Sequence, residues 1–170
     1  MVIWIIGLSG SGKTTLANKI VTDSNLRADV KKTVLIDGDI IREVFGNDIG
    51  YSMQDRLLNA QRICHLGSFL HNQGLNVVCA ILSIFPETRK WNRENIEDYY
   101  EIFIDTPIDI LVERDSKGIY EKFNSGKISN VVGMDIEFPP PDQSDLVIDN
   151  SSSLNDLLSH SDKIVKLLCS

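Results

Sequence analysis

No stretch of this chain is long and apolar enough to cross a bilayer, and the opening run MVIWII is too short for either a span or a secretory leader. Basic charge is also short. There are 17 Lys and Arg against 24 Asp and Glu, so the net charge of −7 repels nucleic acid and acidic membranes. An anionic ligand must be held by a local cluster of cations and backbone N–H groups. Cysteine is sparse: Cys64, Cys79 and Cys169 are odd in number and lack metal-ligand spacing. They predict reduced thiols in a cytoplasmic protein rather than a disulfide framework. His65, His71 and His160 have no ligand spacing either. Internal repeats and low-complexity linkers are missing, so residues 1–170 are expected to form one domain.

What is present is an alternation of short apolar runs and longer helical patterns. VIWII (2–6), TVLID (33–37), NVVCAIL (76–82), YYEIFIDT (99–106) and DLVIDN (145–150) predict five strands. Helices are predicted over 13–24, 52–74, 108–115 and 153–168, and the lysine-rich stretch after 115 reads as polar and mobile. Ser52 with Asp55 has the form of a capping box, and Gly74 marks the stop of the long helix. In that helix Met53, Leu57, Ala60, Cys64 and Gly67 fall on one apolar stripe. Strands interleaved with helices predict an α/β domain whose five-stranded parallel sheet has helices on both faces. Ligands of such sheets bind beyond the carboxyl ends of the strands.

GLSGSGKTT (7–15) meets the pattern G-x-x-x-x-G-K-[ST] through Gly7, Gly12, Lys13 and Thr14, after a strand and at the start of a helix. This is a P-loop. Backbone N–H groups along Ser9, Gly10, Ser11, Gly12, Lys13, Thr14 and Thr15 converge on the phosphates of ATP. Lys13 reaches the β- and γ-phosphates, and Thr14 Oγ is placed to ligate Mg²⁺. The guanine-reading motif N-K-x-D is missing, which argues against a GTPase switch, and the chain is short for a motor. A compact phosphotransferase fits best. LIDGDIIRE (35–43) ends the second strand with Asp37 and Asp39, followed by Arg42. These carboxylates either hold Mg²⁺ and orient an acceptor hydroxyl, or simply cap a helix. Arg56, Asn59 and Arg62 recur every third residue, a solvated face or a grip on phosphate and ribose. Arg89 and Arg93, after the Phe85 loop, read as solvated or as reaching an anionic ligand, with the first favoured, and Trp4 and Trp91 as packing residues.

In order and spacing, GLSGSGKTT, DGD with its following Arg, DR plus Asn in the long helix, FIDTP and ERDSKGIYEK resemble the adenylyl-sulfate (APS) kinase family of P-loop kinases. The likeness runs from residue 3 to about 150, and its most specific block is 104–120. It implies transfer of the γ-phosphate of ATP to the ribose 3′-hydroxyl of a nucleotide. It also implies roles by position. Lys13 and Asp39 would be catalytic, Asp39 facing the 3′-hydroxyl, and Thr14 and Asp37 would serve the metal. Arg42, Tyr51, Arg56, Asn59, Leu82, Ser83, Phe85 and Val131 would bind the acceptor. Arg114 and Lys117 would belong to a lid, about 114–135, closing over ATP. Family members often dimerise, so a homodimer is implied too.

The departures from the family pattern cluster on the acceptor side. DGDN reads DGDI here, ISPF reads LSIF, and GEIKNFTGID reads GKISNVVGMD (126–135). Ser129 thus stands where the family has lysine and Val131 where it has a phenylalanine that stacks on the acceptor base, while Tyr51 keeps the opposite aromatic wall. An aromatic stack contributes about 0.5–1.5 kcal/mol beyond its area, so base recognition is altered while the ATP side is intact. The expectation is a non-APS acceptor, with cytidine diphosphoramidate the named one. One branch of the family phosphorylates it on the way to a capsule phosphoramidate. An APS kinase and a non-catalytic nucleotide-sensing module are the alternatives, and a kinase of a sugar or shikimate-like acid is disfavoured only by the resemblance.

Overall fold

The computed structural model describes residues 1–169. Five parallel strands, β1 (Val2–Ile6), β2 (Thr33–Asp37), β3 (Asn76–Ile81), β4 (Tyr99–Asp105) and β5 (Leu146–Asp149), lie in the order β2-β3-β1-β4-β5. β1 is central and every residue in it is fully buried, which is why its sequence is apolar without alternation. Its side chains still alternate in direction. Ile3 and Ile5 join one core with Leu16, Ile20, Leu157 and Ile164. Val2, Trp4 and Ile6 join the other with Ile36, Ile63 and Cys64. Helices α1 (Lys13–Asn25), α7 (Leu154–Ser159) and α8 (Ser161–Leu167) cover the first face, and α3 (Met53–Asn72) and α4 (Pro86–Asn95) the second. The short α2 (Gly38–Val44), α5 (Ile108–Arg114) and α6 (Ile119–Asn124) lie near the carboxyl end of the sheet. Among the described residues no helix is long and apolar enough to cross a membrane.

Register places the functional segments together. Asp37 pairs with Ala80 and Ile6 with Ile81, so the P-loop, the Asp37 turn and the 82–85 segment leave neighbouring strands side by side.

Several elements differ from the sequence expectation. The closing segment is two helices, because the N–H of His160 bonds the near carbonyl of Leu157 and this tight turn ends α7. The stretch after residue 115 is ordered: α6 buries Tyr120, whose hydroxyl donates to Ser9 O (2.9 Å), and Val131 and Val132 are buried as well. In α3 the buried set is Asn59, Ala60, Ile63, Cys64 and Gly67, while Met53 is exposed, so the apolar stripe begins later than its sequence pattern suggests. At the start of α3, Ser52 Oγ accepts from the Asp55 N–H and donates to its carboxylate rather than forming a reciprocal box.

Candidate active site

A cavity of about 540 Å³ opens at the carboxyl ends of the strands. The P-loop forms one wall. Gly12 has φ +92°, and a Cβ there would meet Leu157 Cδ2 at 2.5 Å, so both backbone and space demand glycine. Ser9, Gly10, Gly12, Lys13, Thr14 and Thr15 line the cavity. Ser11 does not: its side chain is fully buried, its Oγ has no partner among the described residues, and its N–H bonds Leu8 O. Lys13 Nζ donates to Leu8 O (2.7 Å). Burial, with the nearby Lys117 charge, lowers its pKa to about 8.

At the end of β2, Asp37 caps α2 and also reaches the P-loop. One carboxylate oxygen caps α2 by accepting from the Asp39 N–H (2.9 Å), and the other accepts from Thr14 Oγ1 (2.7 Å). Asp39 forms an ion pair with Lys117 across the cavity (2.8 Å). Burial pushes the Asp39 carboxyl up, but the Lys117 hydrogen bond and the charges of Lys117, Lys13 and Arg42 outweigh it, so Asp39 sits below the ordinary carboxylate range. Lys117 is correspondingly raised: burial lowers it and Asp39 more than reverses that.

Two guanidiniums form the opposite wall. Arg42 Nη1 donates to Gly50 O (2.6 Å), and Arg56 donates to Tyr51 O (3.0 Å) and Asn130 O (2.7 Å). Both lie near the Tyr51 ring, at 4.7 and 5.4 Å from its centroid. Burial and the neighbouring Arg42 lower the Arg56 pKa. Neither guanidinium has a carboxylate partner within ion-pair distance among the described residues, which leaves their charge available to an anion. Asn59 is buried and donates to Gly38 O (3.1 Å). Leu82, Ser83, Phe85, Ser129 and Val131 also line the cavity. The 129–136 turn is fixed by Asp135, whose carboxylate accepts from the N–H groups of Asn130 (2.8 Å) and Val131 (2.6 Å).

Four other arginines are held by partners outside the cavity or in its frame. Arg62 turns away from the cavity onto Asp48. Positions three apart on a helix drift by about 60°, so Arg56 and Arg62 stand about 120° apart and share no face. Arg114 does not line the cavity: it donates to Asn150 O and Ser152 O, both at 3.0 Å. Arg89 is buried rather than solvated, and donates to Ser83 O (2.7 Å). Arg93 bonds Gln143 O and lies near Glu101 and Asp145.

Ser83 is held from both sides. Its φ is +54°, Arg89 takes its carbonyl, and its Oγ accepts from the Trp4 indole N–H (3.1 Å). Trp4 is therefore more than packing. The hydroxyl is committed to structure, so Ser83→Ala should lower stability by about 1–2 kcal/mol through the orphaned buried indole N–H. The acceptor KM should stay within about threefold. Denaturant unfolding and steady-state kinetics check both; unchanged stability with a collapsed kcat would put the hydroxyl in the chemistry instead.

A parallel α/β sheet with a P-loop at the carboxyl end of its central strand and a cationic cavity facing it defines a nucleotide-dependent kinase. The adenylylsulphate kinase family model matches residues 1–149, and the chain belongs to that family. It is 39% identical to the cytidine diphosphoramidate kinase of Campylobacter jejuni subsp. jejuni serotype O:2, covering 98% of this chain and 95% of that protein. It is 40% identical to the adenylyl-sulfate kinase of Pseudomonas aeruginosa, covering 92% and 80%. The Mycobacterium tuberculosis APS kinase CysC, solved with AMPPNP and APS, superposes with a TM-score of 0.87 at 31% identity, covering 99% of this chain and 97% of that one.

Proposed function

We propose that this kinase transfers the γ-phosphate of ATP to the ribose 3′-hydroxyl of a small nucleotide, with cytidine diphosphoramidate favoured as acceptor over APS. The observation that carries the reaction is the position of Asp39. This carboxylate pairs with Lys117 (2.8 Å) in a cavity also lined by Lys13 and Arg42, which supports a role where a donor phosphate and an acceptor hydroxyl would meet. Phosphoryl transfer asks the protein mainly to position and to neutralise charge, and these groups do that. Thr14 Oγ1 and Asp37 Oδ2 offer adjacent hard oxygens, a donor set that fits Mg²⁺ with water and phosphate oxygens completing its shell. They would hold the ion, which when bound neutralises phosphate charge. Arg42 and Arg56 would take the acceptor's anionic end, and Lys117 would shield the reacting phosphate from water.

Identity does not separate the two acceptors, since relatives acting on each match at 39% and 40%. The preference rests on Ser129 and Val131 in the cavity lining, where a bulky stacking ring and an ammonium are replaced by small groups. ADP release with the two acceptors side by side tests it. A 3′-deoxy analogue of the better acceptor should release no ADP above background.

The pH dependence follows from Lys13. In the empty enzyme it is charged below about 8 and loses its charge above. The kcat/KM for ATP should therefore be flat at lower pH and fall as pH rises through about 8. Bound phosphates hold the proton on Lys13, so kcat should persist to higher pH. A kcat profile falling together with kcat/KM would contradict this assignment.

A further inference from the structure

The loop between α2 and α3 supplies the carbonyls that hold both guanidiniums of the cationic wall, yet its own backbone barely supports it. Phe45, Gly46 and Asn47 donate back into α2, but among the described residues 48–51 make no main-chain to main-chain hydrogen bond. Side chains hold them instead. Arg42 bonds Gly50 O and Arg56 bonds Tyr51 O. Arg62 of α3 grips both oxygens of Asp48 (2.8 and 2.6 Å), with its guanidinium over the Phe45 ring at 4.6 Å from the centroid.

These three tethers are not equivalent. Arg42 and Arg56 bind the loop through neutral carbonyls and the Tyr51 ring, weak partners that an incoming anion can outcompete. Arg62 is committed to a carboxylate by a forked pair and lies outside the cavity. When a ligand draws on the first two, Arg62–Asp48 is what still fixes the loop. We propose that Arg62, acting through Asp48, is a positioning residue for the acceptor: it holds residues 48–51 so that Gly50 and Tyr51 keep Arg42 and Arg56 aimed into the cavity. This rests on the proposal that those guanidiniums bind the acceptor. The pair is partly exposed, and such pairs contribute little to global stability, so its loss is felt locally and the variants fold.

The test uses Arg62→Ala, Asp48→Asn, their combination and Arg62→Lys in the full chain, with cytidine diphosphoramidate and APS each as acceptor. Each single change should raise the acceptor KM about tenfold, with kcat and the ATP KM within about twofold. The double variant should be no worse than either single one. Arg62→Lys should recover part of the loss, since an ammonium makes a single bond where the guanidinium makes two. Amide hydrogen exchange at 45–47, whose N–H groups bond carbonyls of α2, should quicken in the variants, least with lysine. Unchanged exchange, an unmoved acceptor KM, or an ATP KM rising in parallel overturns the proposal. If the wild type turns over neither acceptor, the functional reading fails by itself, and hydrogen exchange alone then decides whether Arg62 holds the loop.

Discussion

Asp39→Asn lowers kcat by about 100-fold or more and leaves ATP affinity within about threefold. The split follows from where the carboxylate sits. Asp39 lies beyond the phosphate cradle, which is built from P-loop backbone and Lys13, so the amide variant keeps the ATP groups intact. What it loses is an anionic acceptor of a hydroxyl proton and the ion pair that fixes Lys117. Because its cationic neighbours hold Asp39 below the ordinary carboxylate range, it is a weak base. Its contribution is then orientation and charge rather than strong proton abstraction, consistent with the little covalent work that a loose transition state requires. Its carboxylate is ionised throughout neutral pH, so kcat should show no step from Asp39 between about pH 5 and 8. Near-normal turnover by the variant would remove Asp39 from the reaction.

Lys13→Met abolishes phosphoryl transfer, by about 1000-fold or more, and at the same time makes the empty protein more heat-stable at pH 7. The second half is the less obvious. An ammonium buried with only a carbonyl as direct partner has its pKa lowered to about 8 from 10.5, so the folded state binds that proton less well than the unfolded chain. The penalty is fully present below about 8 and disappears as pH rises toward the unfolded value. Because the side chain keeps some access to the cavity, screening trims the effect to on the order of 1–2 kcal/mol, a few degrees in Tm. The Tm difference should shrink toward pH 10 and invert when ATP is added, since only the wild-type lysine gains a phosphate partner. A variant less stable than wild type at pH 7 without nucleotide would show that Lys13 is not strained in the empty cradle.

The features legible in the sequence are those where residue identity is forced. A cradle that needs positive φ and no Cβ at Gly12 writes itself as glycine, and fully buried β1 writes itself as VIWII. Helix α4 left no such trace. Its buried residues are Thr88, Arg89 and Asn92, so a polar sequence conceals an inward face. Arg89 is inside because it satisfies the Ser83 carbonyl, and Trp4 meets Ser83 across 79 positions, a contact no local pattern encodes. Charged residues in α3 gave spacing but not direction: Arg56 found the cavity and Arg62 found Asp48. Tyr120 shows the same limit, since its anchoring partner is the Ser9 carbonyl, 111 positions away.

Acceptor choice should turn on the cavity wall where Ser129 and Val131 stand in place of an ammonium and an aromatic ring. The direct measurement is ATP-dependent ADP release with cytidine diphosphoramidate and with APS at matched micromolar concentrations, with phosphorus NMR locating the new phosphate. The kcat/KM should be at least about tenfold higher for cytidine diphosphoramidate, with the product phosphorylated on the 3′-hydroxyl. Robust turnover of APS with no response to the cytidine nucleotide would contradict it.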